Sequence, residues 1–174
     1  KVACVATWDG QNAMLYSDSG GESAFCKSEG VQWKPLKQLK YDLDDHFQKG
    51  GKLLGHNINV FDLPVLRDSM DIYIVRKYLQ EKEERCIDTS ALLSKATGRR
   101  IHLDNTVRCT LDTGKLMAGT DAVVKWRAGE FEEVLKYCLS DTKLTYDLWK
   151  YGQDNGIVKF YDEEEDSVES VEID

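Results

Sequence analysis

Residues Glu130–Tyr151 read EFEEVLKYCLSDTKLTYDLWKY, the strongest helical pattern in the chain. Phe131, Val134, Cys138, Thr145, Leu148 and Trp149 recur at 3.6-residue spacing and mark one apolar face. Asp141 falls inside that face, and Tyr137 sits one turn earlier at its edge. An ionised carboxylate on an apolar face is costly unless it is paired or binds a metal. The helix therefore presents an inward carboxylate with a phenol one turn away. A second reading stays open: Ser140-Asp141-Thr142 ends one helix and caps the next, with Tyr137 an ordinary core tyrosine.

Upstream, Gly55–Leu66 reads GHNINVFDLPVL. A short buried strand, Lys52–Asn57, is expected to end here, and Asp62-Leu63-Pro64 starts a helix with proline in its first turn. Strand ends that face helix starts are where α/β folds gather ligands. The plainer alternative makes Asp62 a helix cap and Asn57 a turn former.

The remaining pattern surrounds these two segments. Val2–Thr7 and Ala13–Tyr16 read as strands joined through the turn signal Asp9-Gly10. A loop rich in Ser, Gly and Glu follows. Pro35 opens a helical pattern carrying Leu36, Leu39, Leu43 and Phe47 on one face, and Gly50-Gly51 stops it. Helices are expected around Val75–Lys82, Ser90–Ala96, Leu103–Thr110 and Thr120–Ala128. Ile157–Tyr161 and Val168–Ile173 form a hairpin with the acidic run Asp162–Asp166 at its tip. The order implies a mixed α/β sheet flanked by helices, in one domain over residues 1–174.

The formal charge of −8 argues at first against nucleic acid. Eight acids and no Lys or Arg lie between Asp162 and Asp174, which leaves 23 acids against 23 bases in the rest of the chain. A neutral body can bind a phosphate backbone where metal ions and local lysines supply the field. The five cysteines have neither CxxC nor zinc spacing, which fits reduced thiols in a cytoplasmic or nucleoid-associated protein that is not secreted. No apolar run spans a bilayer, so no membrane partner is expected.

Taken together, Asn57, Phe61-Asp62-Leu63-Pro64 and Tyr137-Cys138-Leu139-Ser140-Asp141 resemble the second and third motifs of DEDD-superfamily 3′→5′ exonucleases, in the tyrosine-bearing branch. The spacing is most similar to the proofreading domain of B-family DNA polymerases. Cys86-Ile87-Asp88-Thr89 resembles the strand that follows the family's second motif. The resemblance implies a ribonuclease H-like fold and hydrolysis of phosphodiester bonds at 3′ ends of DNA, single-stranded or frayed. It implies two Mg²⁺ or Mn²⁺ ions, one on Asp62 and one on Asp141. Tyr137 would orient the attacking water, Asn57 would help place the substrate, and Phe61 would line the terminal-nucleotide pocket. Hard carboxylate oxygens suit such ions.

The family's first motif, Asp-x-Glu on the central strand, is missing from the sequence. Asp162-Glu163-Glu164 has the spacing but lies in the acidic turn. Two explanations follow. In the favoured one, Val2–Thr7 and Ala13–Tyr16 are the family's second and third strands and the central strand lies upstream of Lys1, in a domain that stands alone or belongs to a larger replication or repair protein. In the other, Val2–Trp8 is the first strand with Asp9 as a lone carboxylate, which describes an inactive module that binds nucleic acid or a partner protein. Lys115, Lys125, Arg127, Arg99 and Arg100 are candidate phosphate contacts, Trp126 a candidate base-stacking ring, and His56 stands beside Asn57.

Overall fold

The first strands show why side chains sort onto two faces. In the computed structural model, which describes residues 2–22 and 24–173, β1 (Cys4–Trp8) pairs antiparallel with β2 (Ala13–Ser17). Lys1, Ser23 and Asp174, the last acid of the C-terminal run, lie outside the described residues. The connecting turn is built by Asp9, whose carboxylate accepts the backbone N–H groups of Gln11 (2.8 Å) and Asn12 (2.6 Å). Asp9 is therefore an exposed turn former and not a site carboxylate. Alternation along the strands sends Val5, Met14 and Tyr16 into one core, and Cys4, Ala6, Trp8, Ala13 and Leu15 into another.

The segment read as a loop contains a short helix, α1 (Ala24–Ser28), and then β3 (Gln32–Lys34), which runs parallel to β2. After a 3₁₀ turn at Leu36–Gln38 comes α2 (Leu39–Gln48). Its Leu39, Leu43 and Phe47 meet Tyr16, as the helical pattern predicts. Next come β4 (Leu53–Gly55), a π-helical turn at Ile58–Asp62, α3 (Leu63–Met70), α4 (Tyr73–Gln80) and α5 (Lys82–Arg85). β5 (Cys86–Asp88) pairs parallel with β4. Four helices follow: α6 (Thr89–Thr97), α7 (Leu103–Leu111), α8 (Gly119–Arg127) and α9 (Phe131–Asn155). The hairpin β6 (Ile157–Asp162) and β7 (Ser167–Glu172) closes the described chain.

The result is a mixed α/β structure with three small sheets among the described residues: β1-β2-β3, β4-β5 and β6-β7. Among the described residues no strand joins β1-β2-β3 to β4-β5. β1 and β4 each pair on one side only, and both lie against α9. One core packs α2, α3 and α4 against one face of β1 and β2. A second lies on the opposite face, under Leu135 and Leu139 of α9. The third joins the C-terminal half of α9 to α6, α7 and the hairpin through Leu93, Val107, Leu148 and Val158. Among the described residues no helix is long and apolar enough to cross a membrane.

The hairpin is pegged to α7 by side chains that stand in for a third strand. The Asn105 amide donates to Tyr161 O (2.9 Å) and accepts from Tyr161 N (2.7 Å), and Thr110 does the same at Lys159 (2.9 and 2.8 Å). This satisfies backbone groups that an edge strand would leave open. The acidic tip is not uniformly solvated. Asp162 is buried, pairs with Arg99 and accepts the backbone of Glu164 and Glu165, while Glu163–Glu165 remain exposed.

Candidate active site

The segment after β4 is wound tightly. Asn57 adopts the left-handed conformation (φ 68°, ψ 24°), which asparagine tolerates better than most residues, so its expected turn role holds. The backbone N–H of Phe61 returns to Asn57 O (3.0 Å), and the Leu63 N–H returns five residues to Ile58 O, closing the π-helical turn. Phe61 is left 61% exposed, a free aromatic face at the turn's end. Asp62 stands where a cap for α3 would stand, but its side chain makes no capping hydrogen bond. The cap reading of Asp62 therefore fails. Its side chain is exposed to solvent, yet enough protein lies around the carboxylate to weaken its solvation. That surrounding protein, with a smaller contribution from the like charge of Asp88, pushes its pKa up to about 6.

α9 runs unbroken through Ser140–Thr142, so the alternative of a helix break capped by Asp141 is also wrong. Thr142 and Thr145 bond back to the carbonyls of Cys138 and Asp141 and stay within the helix. Asp141 is mostly buried, at 21% side-chain exposure. Its Oδ2 pairs with Lys115 Nζ at 2.5 Å, and its Oδ1 is buried without a hydrogen-bond partner. Burial raises the Asp141 pKa despite the opposing pull of Lys115. The Lys115 ammonium also lies 5.1 Å from the centre of the Tyr137 ring. Burial works against the charge on Lys115, but Asp141 and Tyr137 outweigh it and raise its pKa. Tyr137 is likewise raised, chiefly by burial.

A cleft of about 500 Å³ is lined by His56, Asn57, Phe61, Arg100, His102, Leu103, Asp104, Lys115 and Gly119, while Asp62, Tyr137 and Asp141 are not among its lining residues. Lys115 is the hinge of the arrangement, since it borders the cleft and holds Asp141. Asp104 at the start of α7 accepts the Lys115 backbone N–H (2.9 Å) and so seats the lysine. Gly119, at the start of α8, borders the Tyr137 hydroxyl. His56 bonds Thr89 Oγ1 through Nδ1 (3.0 Å), and burial lowers its pKa to about 4. A larger groove, about 720 Å³ between α1 and α9, contains none of Asn57, Phe61, Asp62, Tyr137 or Asp141.

Of the other cationic candidates, Arg100 lines the cleft, Lys125 pairs with Glu130, and Arg99 is engaged by Asp162 and Glu164. Trp126 packs edge-to-face with Phe131 (4.8 Å) and is partly buried beside the α9 core. Lys115 was legible only as one phosphate contact among several; its contact with Asp141 is tertiary. Asp104 and Asp88 carried no signal beyond a helix start and a strand end.

Among the described residues no group of three or more His, Cys, Asp or Glu side chains comes together that could hold a metal. The donor set fits a divalent ion in part. The orphaned Oδ1 of Asp141 is a hard, buried oxygen, and Asp62 has no competing cap bond. No family model matches the chain, and no curated protein matches it.

Proposed function

We propose that this chain carries the substrate-facing part of a metal-dependent 3′→5′ exonuclease of ribonuclease H-like fold, acting on single-stranded or frayed 3′ ends of DNA. The observation that supports it most is Asp141: a half-paired carboxylate buried on an unbroken helix, one turn from a phenol and with one oxygen unpartnered. A buried acceptor left in that state costs roughly 1–3 kcal/mol, which a ligand would recover. Mg²⁺ or Mn²⁺ on Asp62 and Asp141 would acidify a water and stabilise charge on the phosphate. Tyr137 would orient that water. Asn57 and the exposed ring of Phe61 would seat the terminal nucleotide, and Lys115 and Arg100 would bring positive charge to its phosphates.

Two carboxylates hold such ions weakly. The reading therefore expects one further strand, bearing Asp-x-Glu, between the open edges of β1 and β4 beside α9. The competing reading, an inactive nucleic-acid-binding or partner-binding module, draws on the lysine seated on Asp141 and on the incomplete acid set.

A 3′-labelled oligonucleotide separates them. The enzyme reading expects Mg²⁺- or Mn²⁺-dependent release of mononucleotides, lowered about a hundred-fold or more by Asp141→Ala. Retention of the oligonucleotide without cleavage selects the inactive module, and equal cleavage by the Asp141→Ala protein removes Asp141 from the site.

A further inference from the structure

Asp88 is the last residue of β5, and only 5% of it is exposed. Burying a carboxylate is expensive without a cation or several hydrogen bonds. Asp88 makes no ion pair among those of the described residues, and its oxygens take four backbone N–H groups instead. Oδ1 accepts from Ser90 (3.1 Å) and Ala91 (3.3 Å), which caps α6. The same Oδ1 accepts from Asn57 (2.7 Å), and Oδ2 accepts from Asn59 (3.1 Å).

A cap alone does not require this residue. One acceptor oxygen suffices to cap a helix, and serine or asparagine serves nearly as well as aspartate. What only a carboxylate supplies here is the second acceptor, turned toward Asn59. An amide at position 88 would keep Oδ1 and present a donor to the Asn59 N–H. The two bonds off the cap land on the left-handed Asn57 and on the first turn of the π-helix that ends at Asp62. Thr89 strengthens the same junction by donating to Gly55 O (3.4 Å) and meeting His56 (3.0 Å).

We propose that Asp88 is a positioning residue: its carboxylate fixes the Asn57–Asp62 turn and thereby sets where Asp62 stands, next to Phe61 at the cleft's edge. This rests on the reading of Asp62 as a metal ligand. Asp88 itself touches neither metal nor substrate. Its role is that of the outer carboxylates that orient ligating groups, whose loss commonly weakens metal binding 10- to 100-fold.

Amide hydrogen exchange and Mn²⁺ broadening of amide resonances, both on the 174-residue chain, test it with Asp88→Asn, Asp88→Ser and Asp62→Asn. In Asp88→Asn the amides of Ser90 and Ala91 are expected to keep their protection within about two-fold, because the cap survives. That of Asn57 should stay protected too, since Oδ1 is kept, while that of Asn59 should exchange at least about ten-fold faster and Mn²⁺ broadening at Phe61 and Leu63 should require about ten-fold more metal. Asp88→Ser keeps a capping oxygen and drops both links to the turn. It should show the same changes with faster exchange at Asn57 added, and it serves as the second variant should the asparagine protein fail to fold. Asp62→Asn should lose the broadening while Asn57 and Asn59 stay protected. Unchanged exchange at Asn59 in both Asp88 variants overturns the proposal. So does faster exchange with unchanged Mn²⁺ affinity, provided that Asp62→Asn removes binding. Broadening that ignores Asp62→Asn, or that the parent chain does not show, instead refutes the metal-ligand reading of Asp62, and the exchange pattern then decides the turn alone.

Discussion

Asp62, Asp88 and Asp141 carry the same chemical group in three different settings. Asp88 is satisfied by backbone, Asp141 pairs with one lysine through one oxygen, and Asp62 makes no capping bond to its helix. Next to them, His56 gives the clearest pH signature. Its folded pKa of about 4 lies below the ordinary 6.5, so its stabilising contribution is present above pH 6.5 and is lost as pH falls toward 4. Asp62, raised to about 6, has the opposite sign: its contribution is present below its ordinary 3.8 and is lost as pH rises through 6. The two oppose one another in the wild type, so the His56→Gln variant is needed to separate them. Between pH 7.5 and pH 5 the wild type should lose roughly 1–2 kcal/mol relative to that variant in urea unfolding. Parallel curves at the two pH values would show that His56 takes up its proton in the fold. At this scale Asn57, Asp62, Tyr137 and Asp141 were legible because each belongs to a short local pattern. Lys115 and Asp88 were not, because the groups they serve lie on segments far away in sequence.

At the scale of elements, α9 and the hairpin stood out for the same reason: 25 residues of helical period and two alternating strands average out local noise. β3, with three residues, and α1, with five, are too short to show a period, and both were read as loop. The inward face of α9 was read too narrowly. Leu135, Leu139 and Gly152 are also buried, because the helix packs on β1 along one half and on the hairpin along the other. Gly152 marks the second contact. A Cβ there would meet Ile173 at 2.6 and 2.8 Å and Val158 at 3.3 Å. Replacing a helical glycine ordinarily gains up to about 1 kcal/mol in propensity, and less for a β-branched residue. Overpacking costs about 1–3 kcal/mol. In Gly152→Val the second effect should win, with a net loss on the order of 2 kcal/mol in urea unfolding and faster amide exchange in β6 and β7. A variant as stable as the wild type would mean that Ile173 moves aside at no cost.

Across the whole molecule, the mixed α/β class was legible from element order, while the parallel pairings β2-β3 and β4-β5 were not. Strand pairing depends on contacts between distant segments, which no local pattern records. The three cores that result divide the candidate site. Asp62 follows Ile58 and precedes Leu63 of the core that holds α2, α3 and α4, whereas Asp141 rides on the helix that joins the other two. The β1-β2 strands separate the first core from the second, and the small sheets give little backbone pairing across that boundary. Units joined in this way tend to open with separate free energies. Leu43, 93% buried between α2 and its neighbours, tests the division. Leu43→Ala should cost about 2–4 kcal/mol, and native-state hydrogen exchange should place that loss on α2 and α4 while amides in α7 and β6 keep their protection. An equal loss at every amide would show one cooperative unit. Mn²⁺ adds a second arm. If Asp62 and Asp141 share a metal centre, saturating Mn²⁺ links the two units, and the gap in protection between α4 and α9 should narrow in the wild type but stay open in Asp141→Asn.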